Sequence, residues 1–342
     1  MKGRLLGILA GLLATLLSAA ATIAQNSTPP AVRPVKFITS LPTLTVAVPF
    51  TMLARQFDRA HGLAVEVQYA GGSSTIMIDA VLSGSAEFAS PGAATALQAI
   101  REGADLKIIA AIANNQIAAV ISNGAAARLG VSPTAPFAER IRAFRGLTIG
   151  TNPLGATYYQ MLRTYLKQYG LSPDRDVRLV GIAESSALIS GIKMGRFDAI
   201  VSASGVVEQA IAQNAGILWF SAARGDIPVP ESPLVSVIVT RTDTIARHRD
   251  HVDALLAALS GALNAVRNEH TATGQLLKEA YFQKLDPAVW DMVWNAATLA
   301  YPPNLMFPRA AYDYWIANDP KGADSFRNLN YQQIVYAPAQ SP

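Results

Sequence analysis

The side chains in this chain that could do chemistry are few and scattered. The histidines are His61, His248, His251 and His270. His61 closes a helix-like stretch. His248 and His251 stand at i and i+3, a spacing that places two nitrogens on one helical face and could begin a metal site. The sequence puts no third ligand beside them, and Arg247, Arg249 and Asp250 mark that face as solvated. Ser190-Gly-Ile-Lys193 fits a Ser-x-x-Lys nucleophile pattern, but it sits inside a helical stretch that ends at Gly195, and no Lys-Thr-Gly partner follows. No Gly-x-Ser-x-Gly elbow, Walker loop or dinucleotide fingerprint occurs. The chain has no cysteine, which closes thiolate catalysis, thiolate-bound metal, disulfides and a lipid-anchored Cys. The expectation is a protein that is not an enzyme and needs no cofactor and no metal.

Polar loops are the better candidates. Stretches 40–45, 72–74, 90–92, 114–115, 155–158 and 184–186 are rich in Gly, Ser, Thr and Asn, and most of them join a strand-like run to a helix-like one. The ligand-binding candidates they supply are Ser40, Thr43 and Leu44; Gly72 and Ser73; Ser90 and Gly92; Asn114; Gly155, Ala156, Thr157 and Tyr158; and Glu184. A helix N-terminus offers free N–H groups and partial positive charge, so it holds a polar oxygen without a charged side chain. Gly admits close approach to the backbone, and hydroxyls add donors. Each Ser or Thr taken alone reads as a helix cap. Their recurrence at equivalent places favours a pocket.

Those places are equivalent because one pattern occurs twice, about 110 residues apart. The first copy runs strand 35–39, loop, a helix with Phe50, Leu53, Ala54 and Phe57 on one face, Gly62-Leu63, strand 64–69, Gly71-Gly72-Ser73-Ser74, a helix, Gly84, and a strand from Glu87. The second runs strand 147–150, loop, a helix with Tyr158, Leu162, Tyr165, Leu166 and Tyr169 on one face, Gly170-Leu171, strand 177–182, Glu184-Ser185-Ser186, a helix, Gly195, and strand 196–201. Strands alternating with helices predict parallel sheets covered on both faces. Strands are also predicted at 107–111, 117–122 and 234–239. The remainder reads as helices at 246–267, 274–281, 287–299 and 310–316.

The 342 residues are 51% hydrophobic and 15% charged, enough apolar mass for about two domains. The net charge is +4, but no Lys/Arg run exists, so nucleic acid is not an expected partner. Residues 1–24 read as a secretory signal: Lys2 and Arg4, an apolar run from Leu5 to Leu17, then small residues up to cleavage near Ala24. The competing reading is an uncleaved anchor helix. Residues 25–34 are polar and Pro-rich, a flexible leader.

Gly146-Leu-Thr-Ile-Gly-Thr151 followed by Gly155-Ala-Thr-Tyr-Tyr-Gln160 resembles the second-lobe start of the nitrate/sulfonate/taurine and thiamine-precursor (NMT1/THI5-like) solute-binding proteins of ABC transporters. So do Leu82-Ser-Gly-Ser-Ala-Glu-Phe-Ala89 and Met194-Gly-Arg-Phe-Asp-Ala199. The resemblance covers about residues 35–310. It implies an α/β, type II periplasmic binding protein fold: two doubly wound lobes joined by a two-strand hinge, with C-terminal helices. Where sulfonate and taurine binders often carry an aromatic-acid pair, this chain has Ser202-Ala203-Ser204-Gly205, which adds Ser202 and Ser204 to the candidates. No Arg clamp for a small anion is evident, so a bulkier or less charged ligand is expected, with Glu184 facing a cation or donor. The related pyrimidine synthases use a Cys-rich iron motif that this chain lacks.

The expected organisation is therefore signal peptide 1–24, leader 25–34, lobe one 35–120, lobe two 121–234, and a return to lobe one over 235–342. The expected function is an exported, periplasmic, monomeric receptor that passes a small organic solute to a membrane permease and its ATPase. A ligand-sensing module for a signalling partner, or an enzyme on the same fold, are the alternatives.

Overall fold

The computed structural model describes residues 32–227 and 233–339. The predicted signal peptide and residues 25–31 of the leader lie outside the described residues. Two five-stranded sheets form. The strands are β1 (Arg33–Thr39), β2 (Leu63–Tyr69), β3 (Phe88–Ala89), β4 (Lys107–Ala113), β5 (Ile117–Ile121), β6 (Thr148–Thr151), β7 (Arg178–Gly181), β8 (Ala199–Ala203), β9 (Ile217–Ser221) and β10 (Ser236–Thr240). The first sheet runs β2-β1-β3-β10-β4 and the second β7-β6-β8-β5-β9. The two orders are the same pattern. β1 corresponds to β6, β2 to β7, β3 to β8 and β4 to β9, and each sheet takes its fourth strand from the far side of a crossing.

The crossing strands are buried on both faces, which explains their unbroken apolar character. In β5, Ile117, Ala119 and Ile121 enter one core cluster, while Ala118 and Val120 enter another on the opposite face. In β10, Val237 and Val239 face the first cluster and Ile238 the core on the other side of the first sheet. That second core holds Phe37 and Phe88 of the sheet, Phe50 of the helix Ala47–Ala54, and Leu255, Leu259 and Leu263 of the long helix Arg249–Asn268. Trp290 and Trp294 belong to it and stack at 5.4 Å, with His270 on the far face of Trp294 at 4.5 Å. The helix of the repeated unit in lobe two, Thr157–Gln168, buries Tyr158, Leu162, Tyr165 and Leu166 of the predicted stripe together with Met161, while Tyr169, also predicted, caps the helix and is half-buried.

The structure departs from the sequence reading in several places. The first helix is broken: Gln56 adopts a left-handed conformation, φ 55°, and a separate turn of helix, Phe57–Ala60, follows. Periodicity continues through the break because Phe57 still packs inward, in contact range of Gly261 on the long helix. The sheets are mixed, not parallel: β10 runs antiparallel to β3 and β4, and β5 antiparallel to β8 and β9. A strand that arrives from the other sheet enters from the opposite end, so its direction is reversed. The first crossing falls at residues 114–116, ahead of the position near 120 read from the sequence, because β5 already belongs to the second sheet. β9 was not predicted, its Ile-Leu-Trp-Phe run having no alternation to identify it. Arg33 and Pro34, read as leader, are part of β1.

Candidate functional site

A cavity of about 330 Å³ opens between the carboxyl ends of the two sheets. Ser40 and Ser90 follow β1 and β3 directly and line it from lobe one. Asn152 follows β6, Ser202 and Ala203 end β8, and these line it from lobe two. The pseudo-equivalent strands thus present polar side chains to one space. This is where ligands sit in open α/β sheets, beyond the strand ends.

Helix beginnings complete the wall. The helix Ser74–Ser83 starts at the cavity, and its N-cap Ser73 spends its hydroxyl on the Ile76 N–H, 3.3 Å away. Ser74 Oγ accepts the N–H of Gly92 at 3.0 Å, which fixes the start of the next helix, Ala93–Arg101. From lobe two come the starts of Thr157–Gln168 and Ser185–Lys193. Thr39 and Ser90 hydroxyls pair at 2.6 Å beneath the floor. Ser202 Oγ donates to Asn152 Oδ1 at 3.2 Å. Thr157 Oγ1 is buried without a hydrogen-bond partner, although the residue lines the cavity. An orphaned buried hydroxyl costs free energy, so it marks a place for a further polar group.

The lobes touch across this space. Thr95 Oγ1 donates to the Gly155 carbonyl at 3.1 Å, and the Tyr158 and Thr45 hydroxyls lie 3.4 Å apart. A β-carbon on Gly72 would stand 3.1 Å from the Ala183 carbonyl oxygen. The two lobes are therefore in direct contact at the rim of the cavity. Burial pushes the Tyr158 phenol far above its ordinary value near 10, so it stays a neutral donor. Burial also raises the Glu208 carboxyl, against the lowering effect of the Gly205 N–H that it accepts at 2.5 Å. Glu208 thereby holds the Ser202–Gly205 loop at the start of the helix Val206–Ala212.

The sequence candidates divide. Ser40, Thr43, Gly72, Ser90, Gly92, Ala156, Thr157, Tyr158, Glu184 and Ser202 share the one cavity wall. Leu44 is instead a core residue, 2% exposed, because its side chain turns under the loop. Ser73 is a cap. Gly155 and Ser204 lie behind the wall: Gly155 receives the Thr95 hydroxyl, and the Ser204 N–H bonds the Gln116 carbonyl at 2.8 Å. Asn114 sits at the first crossing and lines a separate, largely apolar cavity with Pro302, Pro308 and Tyr314. Residues missed by sequence reasoning include Met77, Val206, Val235 and Ser236. The first two belong to helices, Ser236 opens the return strand and Val235 precedes it, so no local pattern flagged them. Thr45, Gly71 and Ser185 stood in or beside loops already singled out. Ser190 and Lys193 are exposed and lie off the wall, Lys193 donating to Gln213 at 3.3 Å. His251 Nδ1 meets Glu87 Oε2 at 2.9 Å, with His248 stacked on it at 5.0 Å.

No sequence among the curated proteins matches the chain. Solved structures do match in fold. A Bordetella bronchiseptica protein superposes with a TM-score of 0.72 at 16% identity, over 89% of this chain and 94% of that one. The alkanesulfonate-binding protein of Xanthomonas axonopodis pv. citri, bound to MOPS, gives 0.66 at 14% identity, over 92% and 99%. The periplasmic nitrate-binding protein of Synechocystis gives 0.66 at 14% identity, over 91% and 93%. The fold is that of the type II periplasmic binding proteins. The model of the NMT1-like family matches residues 35–277, from the first strand through both sheets to the helices that cover the return strand, and the chain belongs to that family.

Proposed function

We propose that this chain is an extracytoplasmic solute-binding protein. It captures a small organic ligand in the interlobe cavity and delivers it unchanged to an ABC-type importer. The observation that carries the reading is the placement of one cavity between equivalent strand ends of two lobes that touch across it. Such a site can close on a solute by moving two rigid bodies about the crossings between them. The first crossing has only residues 114–116 between β4 and β5. Closure brings oriented hydroxyls and helix N-termini to the ligand, and among the described residues no nucleophile with a paired base stands on the wall. The names of the structural neighbours support the reading, including a Staphylococcus aureus protein described as the ligand-binding component of an ABC-type import system. The mature chain is exported after removal of residues 1–24 and works as a monomer with a permease and an ATPase. The ligand-contacting residues are those of the cavity wall, foremost Ser40, Ser90, Thr157, Tyr158, Glu184 and Ser202.

Native mass spectrometry of the protein as isolated, with the bound species identified after unfolding, tests this. A solute that is released unaltered, rebinds and raises the melting temperature supports it, since a ligand that binds only the native state stabilises by mass action. A chemically altered product, or no stabilisation by a broad solute panel, overturns it.

A further inference from the structure

Among the described residues, Glu184 is the one acidic side chain on the cavity wall, and no Lys, Arg or His lines it. Glu184 is the N-cap residue of the helix Ser185–Lys193, where a side chain normally turns back to accept an N–H of the first turn. Its side chain makes no such bond. Instead the carboxylate extends over the cleft, and Oε1 lies 3.8 Å from the position of a β-carbon on Gly71 in the other lobe. Gly71 has φ 58°, a left-handed conformation that glycine adopts freely, and as glycine it leaves the space in front of the carboxylate open.

A carboxylate at a closing cleft has a definite electrostatic consequence. Glu184 is exposed with the lobes in contact, so a ligand seated in front of it is what removes its water, and that desolvation is unfavourable unless the ligand brings a positive partner. The described residues supply no cation on this wall. The negative charge also opposes the anion affinity that the neighbouring helix N-termini would otherwise confer. The rest of the wall adds hydroxyls and the apolar side chains of Met77, Val206 and Val235. At about 330 Å³, the space is at the small end for an organic ligand.

We propose that the ligand carries a positively charged nitrogen, a protonated amine or an amidinium, which pairs with Glu184 across from Gly71. Its small apolar body fills the remaining space. This deepens the receptor reading above and rests on it.

The test uses matched probes that differ in charge and little in shape: benzamidine, benzamide and benzoate, and butylamine, butanol and butanesulfonate. Binding is followed by thermal shift and by calorimetric titration of the full mature chain. The cationic member of a set is expected to bind best, and its affinity to fall as salt is added. Glu184→Gln should weaken the cation about two- to fivefold, the range set by an exposed ion pair, and change the neutral probe less. Glu279→Gln, an exposed acid on the helix His270–Tyr281, should change nothing. Circular dichroism shows that each variant is folded. Preference for sulfonate or carboxylate over the cation overturns the proposal, as does cation binding that Glu184→Gln leaves intact. Silence from every probe, of either sign and neutral alike, overturns the receptor reading as well.

Discussion

Gly92 and Thr157 meet face to face across the cleft: a β-carbon on Gly92 would overlap Thr157 Oγ1 and stand 3.1 Å from Thr157 Cβ. The two residues lie at the beginnings of helices in opposite lobes, one following β3 and the other β6. The absence of one carbon atom therefore lets the lobes close to the distance seen.

Gly92→Ala should hold the lobes apart. Its φ of −67° suits alanine, so the backbone is unstrained and the effect falls on closure. Overpacking of this kind costs roughly 1–3 kcal/mol, which lowers ligand affinity by roughly five- to a hundredfold. Adding Thr157→Ala should restore part of it. Calorimetric titration with the co-purifying solute checks this; wild-type affinity in Gly92→Ala would show that closure does not pass through this contact.

Gly191 lies mid-helix in Ser185–Lys193, where Ala would normally stabilise by about 1 kcal/mol. Here a β-carbon would overlap the Phe197 ring, and one on Gly150 would come within 2.7 Å of the same ring. Gly191→Ala is expected to destabilise by about 1–3 kcal/mol, packing outweighing propensity. Urea denaturation measures it, and a net gain in stability would contradict the packing described.

Glu208 links stability to pH. Burial raises its carboxyl above the ordinary value of 4.5, so the folded state holds the proton more tightly than the unfolded chain. That contribution is present below the ordinary value and is lost as pH rises through the raised one. Glu208→Gln still accepts the Gly205 N–H but does not titrate. Relative to wild type, the variant should gain stability between pH 4 and pH 7. Equal melting-temperature differences at both values would rule out the burial effect.

Arg140 and Trp219 bond each other reciprocally: Arg140 Nη1 donates to the Trp219 carbonyl at 2.6 Å, and Trp219 Nε1 to the Arg140 carbonyl at 3.0 Å. Arg140 is 5% exposed and also reaches the Pro133 carbonyl, with Asp226 at 3.5 Å. Arg140→Met leaves buried acceptors unpaired and should cost about 2–4 kcal/mol. A loss under 1 kcal/mol in chemical denaturation would show that water replaces the guanidinium.

Local pattern carried a large part of the architecture. Gly62-Leu63 and Gly170-Leu171 mark matching helix stops, and both glycines adopt positive φ, 76° and 83°. The stripe Tyr158, Leu162, Tyr165, Leu166 is buried as its spacing predicts. The polar loops stood out because Gly, Ser and Asn are needed where a strand turns into a helix, whatever surrounds them. Signals of this kind act over a few residues, so they can be read without knowing where the chain goes next.

What they leave open depends on distant partners. Leu44 looked like a loop residue until the fold turned it into the core, and Ser204 like a wall residue until Gln116 took its N–H. Val235 and Ser236 reach the cavity only because the return strand inserts between β3 and β4. Strand direction in β5 and β10 follows from two crossings and from nothing in their own residues. The type and order of the elements were thus determined by the sequence alone, through short-range sterics and hydrophobic period. The meeting of Gly92 with Thr157, and the exposure of Glu184 to a cleft without a cation, were decided by the tertiary structure, because packing of two separate lobes sets which helix beginnings face each other.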